Sequence, residues 1–191
     1  MRVDLRELST YFINLERDYQ KSIDTYDRLF GLGFRNVNRF EGILHDNPKA
    51  GCARSQHSVM SDDNIKLPFI LLEDDIVHTG LDKFVFEVPD DADALYLGIS
   101  QWGRMLNFSG PFTHYKIVNA DVVKVYNMLS THAIVYFSED YRRHLKRTSY
   151  YSGYKSHYHV DVEYAESQKY YNVYALDLPL FAQEGYNQGV T

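Results

Sequence analysis

The chain has 191 residues, of which 45% are hydrophobic and 24% are charged, a composition typical of a globular protein and not of a disordered one. It carries 20 Lys and Arg against 26 Asp and Glu, and the net charge of −6 argues against a general nucleic-acid binder. The one cysteine, Cys52, excludes an internal disulfide and fits a reducing, cytoplasmic location. No apolar run approaches the roughly 18 residues that a membrane span needs.

The first half of the chain is predicted to alternate strands and helices. Apolar spacing of three and four predicts a helix, and short β-type or continuously apolar runs predict strands. In chain order, the predicted elements are a strand at 11–15, a helix at 17–30 that Gly31 and Gly33 end, a weak strand at 34–40, a helix at 49–60, and buried strands at 69–72 and 95–99.

The second half continues the same alternation, with more tyrosine. Nine of the 17 tyrosines lie between Tyr141 and Tyr174, which favours a half-buried shell or a surface on which sugar rings or a base could stack. The predicted elements are a weak strand at 116–118, a helix at 121–129 with Asp121 as a possible N-cap, a strand at 132–137, a basic helix at 139–146, a loop at 148–158, a helix at 161–169 and a strand at 173–176.

Strands that alternate with helices predict an α/β fold with a mostly parallel sheet. We expect one domain over residues 1–191, because the sequence has no repeat, linker or low-complexity segment. In such sheets the ligand lies beyond the carboxyl ends of the strands.

The most informative segment is the acidic triplet Glu73, Asp74 and Asp75, which directly follows the apolar run 69–72. Adjacent carboxylates repel one another unless a cation neutralises them. Their oxygen atoms suit Mg²⁺ or Mn²⁺, which usually shares its ligand shell with substrate phosphates. The alternative is an exposed acidic turn that stabilises the start of a helix.

Other chemically active residues have simpler explanations. Cys52 and His57 are predicted to lie on one helix, with the cysteine buried and structural. His157 and His159 are either solvent-facing or available as a metal ligand or base. Gly31-Leu32-Gly33 lacks the third glycine of a dinucleotide fingerprint. A basic cluster is either a solvated helix face or an anion-binding rim, and it comprises Arg142, Arg143, Lys146 and Arg147.

Taken together, several blocks resemble glycosyltransferase family 25, the lipooligosaccharide-type enzymes related to the collagen galactosyltransferases. In their family order, the blocks are FINLERD at 12–18, GCARSQH at 51–57, FILLEDD at 69–75, STHAIVYF at 130–137 and VDVEYAESQKYYNVYALDLPLFAQ at 160–183. They span nearly the whole chain. The second block departs from the family pattern, since Arg54 and Gln56 stand where an apolar residue and a histidine are usual.

The resemblance implies a GT-A-like fold, a nucleotide-sugar donor such as a UDP-sugar, a glycan acceptor, Mn²⁺ or Mg²⁺, a role in lipopolysaccharide biosynthesis, and inversion at the anomeric carbon. It also implies site residues. Asn14, Arg17, Ser55, Glu73 and Asp74 would contact the donor, and Asp75, with Asp74, would hold the metal. Asp161 matches the aspartate that precedes the last helix.

A transfer reaction also needs a base for the acceptor hydroxyl. We expect this base to be Asp161, with Glu139, Asp140 and His159 as alternatives, although Asp161 could instead cap its helix. The 148–158 loop would be a mobile lid. Two other functions stay open, a catalytically inactive nucleotide-sugar or carbohydrate-binding domain and a metal-dependent phosphohydrolase.

Overall fold

The computed structural model describes residues 1–106 and 108–184. Its α-helices are α1 (Tyr19–Gly31), α2 (Pro48–Ser61), α3 (Glu139–Tyr151) and α4 (Val160–Ser167). Its strands are β1 (Arg2–Asp4), β2 (Ser9–Asn14), β3 (Asn36–Glu41), β4 (Phe69–Glu73), β5 (Ile76–His78), β6 (Val85–Glu87), β7 (Ala94–Tyr96), β8 (Gly103–Arg104), β9 (Ser109–Gly110), β10 (Tyr115–Ile117), β11 (Val122–Val125), β12 (Ala133–Tyr136), β13 (Val173–Leu176) and β14 (Phe181–Gln183).

Eight strands form the central sheet in the order β10-β11-β13-β7-β12-β4-β2-β3. The expected α/β fold with flanking helices is confirmed. The sheet is mixed, however, and not mostly parallel as expected: β2 is parallel to β3 and β4, and β13 to β7, whereas the other four pairs are antiparallel. Two strands cause the difference: β12 runs antiparallel between β4 and β7, and β11 runs antiparallel to both β10 and β13.

Both faces of the sheet are covered. On β4, Ile70 and Leu72 pack into a core with Leu29 of α1, while Phe69 and Leu71 pack into a second core against α2, α3 and α4. A central strand with two buried faces has no polar alternation, which explains the continuous apolar run that predicted it.

The predicted helix at 121–129 is wrong, because this segment contains strand β11. Val122, Val123 and Val125 are buried, and β11 pairs with β10 on one side and β13 on the other. β-Branched residues favour such a position. Asp121 therefore caps no helix, and its carboxylate accepts a hydrogen bond from Lys83 Nζ at 2.6 Å.

The predicted loop at 148–158 is also helical over most of its length. α3 extends to Tyr151 and continues as a π-helical turn, Ser152–Ser156. Arg54 of α2 anchors this turn, since its Nε donates to the Gly153 carbonyl at 2.9 Å and its guanidinium lies 4.4 Å from the centre of the Tyr154 ring. A side chain at Gly153 would collide with Arg54, so α2 and the turn make a close contact that only glycine permits.

One member of the predicted basic cluster is not on a solvated face. Arg142 is 6% exposed, and its guanidinium donates to the carbonyls of Met60, Ile65 and Asp62, which closes the segment after α2 against α3. Its neighbour Arg143 is exposed and forms an ion pair with Asp140. Within the described residues, none of the helices has the length and apolar character needed to span a membrane.

Candidate functional site

The candidate site lies at one edge of the sheet, where β2, β3 and β4 end. Because the three strands are parallel and neighbouring, Asn14, Glu41 and Glu73 all lie at this edge. β12 is antiparallel to β4, so its first residues also reach the edge, and Ala133 pairs with Leu72. This topology brings residues from distant parts of the chain to one place.

Asn14 connects the ends of β2 and β4. It is 1% exposed, and its Nδ2 donates to Asp74 Oδ2 at 2.7 Å and to the Asp18 carbonyl at 3.0 Å. Its Oδ1 accepts from Arg39 Nε at 2.8 Å. Every polar atom of the side chain is therefore used, and the Asp74 carboxylate is held in one orientation.

Glu73 is the most perturbed carboxyl of the triplet. Burial and then the charge of Asp75 raise its pKa to about 7, with smaller contributions from Asp161 and Asp74. Thr131 Oγ1 donates to Glu73 Oε1 at 2.7 Å, which partly opposes the shift, and Gln183 Nε2 donates to Oε2 at 3.0 Å.

Asp75 retains an unused oxygen. Gln183 Nε2 lies 3.4 Å from Asp75 Oδ2, whereas the buried Oδ1 has no hydrogen-bond partner among the described residues. Burial, and secondly the charge of Asp74, raise the pKa of Asp75, and Lys21 opposes this. A buried acceptor without a donor suits a cation that approaches from outside.

Asp161 lies close enough to Glu73 to raise the pKa of that carboxyl. It belongs to the first turn of α4, and its own pKa is raised, mainly by burial. Its Oδ1 accepts from the backbone N–H of Val162 at 2.8 Å. His159, and not Asp161, occupies the N-cap position of α4. Asp161 is therefore not the N-cap residue, although it accepts a hydrogen bond from one N–H of the first turn.

The three alternative bases, Glu139, Asp140 and His159, lie in different parts of the fold. Glu139 and Asp140 begin α3, which follows the far end of β12, where Tyr136 pairs with Phe69 at the start of β4. The two acids therefore lie at the opposite edge of the sheet from Glu73, too far away to act with it. His159 is exposed beside Asp161 and lowers the pKa of that carboxyl slightly.

A cleft of about 410 Å³ opens beside Asn14, between the segments that follow β2 and β3. The residues that line it are Leu15, Glu16, Arg17, Glu41, Gly42, Ile43 and Leu44. Ser55 is 3% exposed and lies behind this wall, where its hydroxyl accepts from the Ile43 N–H at 2.8 Å and donates to the Gly51 carbonyl at 2.8 Å. It thus holds the wall of the cleft in place.

Two solved structures are similar to this chain. The structure of a glycosyltransferase involved in the glycosylation of the major capsid of PBCV-1 superposes with a TM-score of 0.52, at 10% sequence identity over 85% of this chain and 75% of that chain. A nucleoside-diphosphate-sugar pyrophosphorylase from Vibrio cholerae RC9 gives a TM-score of 0.48, at 15% identity over 90% of this chain and 73% of that chain.

The chain shares the fold of the PBCV-1 enzyme, which confirms the expected GT-A-like fold. No protein-family model matches the chain, and no curated protein matches it in sequence. The resemblance to family 25 therefore stays a hypothesis.

Sequence reasoning missed two residues that hold the carboxylates, Thr131 and Gln183. It also missed His132, which is 5% exposed and whose Nδ1 lies 2.8 Å from Ser130 Oγ. Burial lowers the pKa of His132 to about 4, so the ring is neutral. A Cβ atom at Gly98 would fall 1.8 Å from its Nε2, so the glycine makes room for the ring.

Cys52 is exposed, so its predicted burial is wrong. It lies on the side of α2 that faces the carboxylates. Partial desolvation of the thiol, together with the charges of Glu73, Asp161 and Asp75, raises its pKa to about 12. The thiol is therefore protonated at neutral pH and is a poor nucleophile.

Proposed function

We propose that this protein is a glycosyltransferase that transfers a sugar from a nucleoside diphosphate sugar to a hydroxyl acceptor. The observation that supports the proposal most directly is the position of the carboxylates. Glu73 and Asp75 lie at the strand ends, where Asp161 is near enough to raise the pKa of Glu73, and the cleft opens from the neighbouring strand ends. This arrangement lies on a fold shared with a glycosyltransferase.

The cleft suits the nucleotide part of a donor. Leu15, Ile43 and Leu44 provide apolar surface for a flat base, and Arg17 supplies a cation for the phosphates. Asp74, held by Asn14 at the strand ends next to the cleft, can accept hydrogen bonds from ribose hydroxyls. We assign these donor contacts on chemistry and position.

The residues fit a divalent cation bound jointly with a diphosphate. Among residues 1–106 and 108–184, no group of three His, Cys, Asp or Glu side chains is placed to hold a metal ion alone. Mg²⁺ and Mn²⁺ are commonly held by one or two carboxylates plus substrate phosphates. Asp75, with its unpaired Oδ1, would be the main ligand and Asp74 the second. When bound, the cation would stabilise the charge that develops on the departing diphosphate.

Asp161 is the proposed base. Its pKa is raised, mainly by burial, which improves the carboxylate as a proton acceptor. Glu73 serves a different purpose, because both of its oxygen atoms accept hydrogen bonds from Thr131 and Gln183. It positions the triplet and strengthens the negative potential that attracts a cation.

A metal-dependent phosphohydrolase could use the same carboxylates. The products distinguish the two reactions, since transfer or donor hydrolysis at the anomeric carbon releases a nucleoside diphosphate, whereas cleavage of the diphosphate releases a sugar 1-phosphate.

The test is a donor screen. Purified protein is incubated with Mn²⁺ or Mg²⁺ and a panel of nucleotide sugars, with and without simple glycoside acceptors, and both products are quantified. We expect nucleoside diphosphate release with one donor, and loss of release with EDTA. Release of sugar 1-phosphate would favour the hydrolase, and binding without turnover of any donor would favour a catalytically inactive domain.

A further inference from the structure

A second, larger cavity of about 580 Å³ lies farther along the sheet, beyond β7 and against β11 and β13. Its inner wall is apolar and consists of Val123, Val125 and Ala175. A segment that includes Phe112 and Tyr115 closes the outer side, and these two rings are 59% and 60% exposed. The cavity is separate from the cleft beside Asn14, with which it shares no lining residue.

The cavity lies on the same face of the sheet as Glu73. Leu176 and Asp177 place one end of it at the same strand ends as the carboxylates, whereas Tyr115 and Val125 lie at the opposite strand ends. β7 runs parallel to β13, and β12 lies between β7 and β4, so the cavity starts two to three strands from Glu73. At about 4.8 Å per strand, this separation is roughly 10–15 Å. Val123, Val125 and Ala175 belong to the core that also contains Tyr164 of α4, the helix that carries Asp161.

A direct contact connects the cavity region to that helix. Arg104 of β8 donates from Nε to Glu166 Oε1 of α4 at 3.3 Å. Met105, the next residue, lines the cavity. One ion pair therefore links the segment that lines the cavity to the helix that carries the proposed base.

The lining indicates what the cavity would bind. Met105 and Met128 are unbranched and adaptable, and together with Ile99 they present flexible aliphatic surface. The polar lining residues lie around this apolar wall and comprise Ser100, Gln101, Thr113, His114 and Asp177. A pure carbohydrate would leave hydroxyl groups without partners against the valines, which is costly. An alkyl chain that carries a hydroxylated head group fits this lining, because the chain would contact the aliphatic side chains and the head group would contact the polar ones.

We propose that this cavity holds the alkyl chain of an amphipathic acceptor whose hydroxylated head group reaches Asp161. The inference rests on the proposed glycosyltransferase function. In the transfer, the acceptor oxygen forms a bond to the anomeric carbon of the donor, and the bond from that carbon to the diphosphate oxygen breaks. The acceptor proton passes to the Asp161 carboxylate, and the electron pair leaves with the diphosphate.

The first experiment measures binding without donor or metal. Octyl β-D-glucoside, kept below its micelle concentration, is compared with methyl β-D-glucoside by titration of the fluorescence of Trp102. This is the one tryptophan of the chain, and it follows Gln101 in the cavity wall. Each fully buried methylene tightens binding about 4-fold, so we expect the octyl glucoside to bind at least about 100-fold more tightly.

Variants locate the binding. Phe112→Ala should weaken octyl glucoside binding about 10-fold, because it removes an exposed ring from the cavity wall. Phe30→Ala, which removes a ring of similar exposure on α1, should leave binding unchanged. Val123→Phe fills the cavity from within and should abolish the preference for the octyl chain. Equal binding of the two glucosides, or equal losses for Phe112→Ala and Phe30→Ala, would overturn the proposal.

The second experiment tests the acceptor role. With the donor found in the screen, transfer to octyl glucosides and galactosides should exceed transfer to the methyl compounds at equal concentration, and Phe112→Ala should remove the difference. Chain-dependent binding without chain-dependent transfer would overturn the acceptor role. If no donor is turned over, the proposed function fails, and chain-dependent binding would then identify a site for amphiphiles that serves no transfer.

Discussion

Asn14 Nδ2 lies 2.7 Å from Asp74 Oδ2, so a single amide joins the ends of two parallel strands and orients a carboxylate beside the cleft that we propose binds the nucleotide. The amide cannot turn away, because its oxygen is held by Arg39. An aspartate at this position would face Asp74 with a second negative charge.

We therefore expect Asn14→Asp to lower the affinity for nucleoside diphosphates at least about 10-fold, because like charges at hydrogen-bond distance cannot both stay ionised and in place. Isothermal titration with a nucleoside diphosphate measures the effect. Asn36→Asp, an exposed substitution at the start of neighbouring β3, is the matched control and should bind normally. Equal affinity in the two variants would contradict the role of Asn14.

Asp75→Asn should separate catalysis from stability. It keeps the shape of the side chain but removes the negative charge proposed to hold the cation, so nucleoside diphosphate release should fall by at least about 100-fold. The pKa of Asp75 is raised, which means that its charge opposes folding, and the melting temperature should stay the same or rise. Asp82→Asn, in an exposed loop, should change neither quantity. Near-normal turnover of Asp75→Asn would refute the metal role.

The raised pKa of Glu73 predicts how stability changes with pH. The folded protein keeps this proton up to a pKa of about 7, against 4.5 for an unperturbed glutamate, so ionisation opposes folding. The stability that the protonated group contributes is complete below pH 4.5 and is lost as the pH rises to about 7. A shift of this size corresponds to about 3 kcal/mol.

Urea unfolding between pH 5 and 8, without divalent cations, measures this dependence. Glu73→Gln should flatten it, whereas Glu87→Gln, an exposed substitution on β6, should leave it as in the wild type. A wild-type slope in Glu73→Gln would show that other groups cause the dependence.

Asp161→Asn tests the base. Asparagine can still accept the hydrogen bond from the Val162 N–H, so we expect normal stability and normal nucleotide binding. Transfer should fall by about 10²–10⁴, the usual contribution of positioned proton transfer. Glu163→Gln is the matched control, because it changes an acid in the same helical turn. The charges of Glu166 and Arg104 act on the pKa of Glu163, and this variant should keep its activity. Unchanged transfer in Asp161→Asn would leave His159 as the remaining alternative.

Arg142→Met should destabilise the protein by about 2–4 kcal/mol, since it leaves three buried carbonyls without their charged donor. Arg143→Met, one residue along, should cost less than about 0.5 kcal/mol, because the pair with Asp140 is exposed. Denaturant midpoints of the two variants give the comparison directly.

Strong local patterns predicted much of the fold. The run 69–72 identified β4 because a strand buried on two faces lacks polar residues. The prediction of a helix at 121–129 is wrong because its closely spaced apolar residues fit either a helix or a strand. The choice depends on pairing with β10 and β13, which lie elsewhere in the sequence.

The candidate site, like the fold, has residues that the local sequence predicts and residues that only the folded chain reveals. Three adjacent carboxylates after a strand are visible in the sequence, because repulsion makes them unusual. Thr131 and Gln183 are neutral and common residue types, and they are 58 and 110 positions away from Glu73, so only the folded chain shows their role. The sequence predicts a loop at 148–158 because the residue that anchors this segment, Arg54, lies 99 positions away from Gly153.

Gln183 lies on β14, near the end of the described chain, yet it reaches both Glu73 and Asp75. During synthesis, the acidic triplet emerges more than a hundred residues before the side chain that bridges it. The nascent protein therefore carries an acidic, unbridged sheet edge until β14 docks. A product truncated before Gln183 would lack the bridge even if its central sheet had formed.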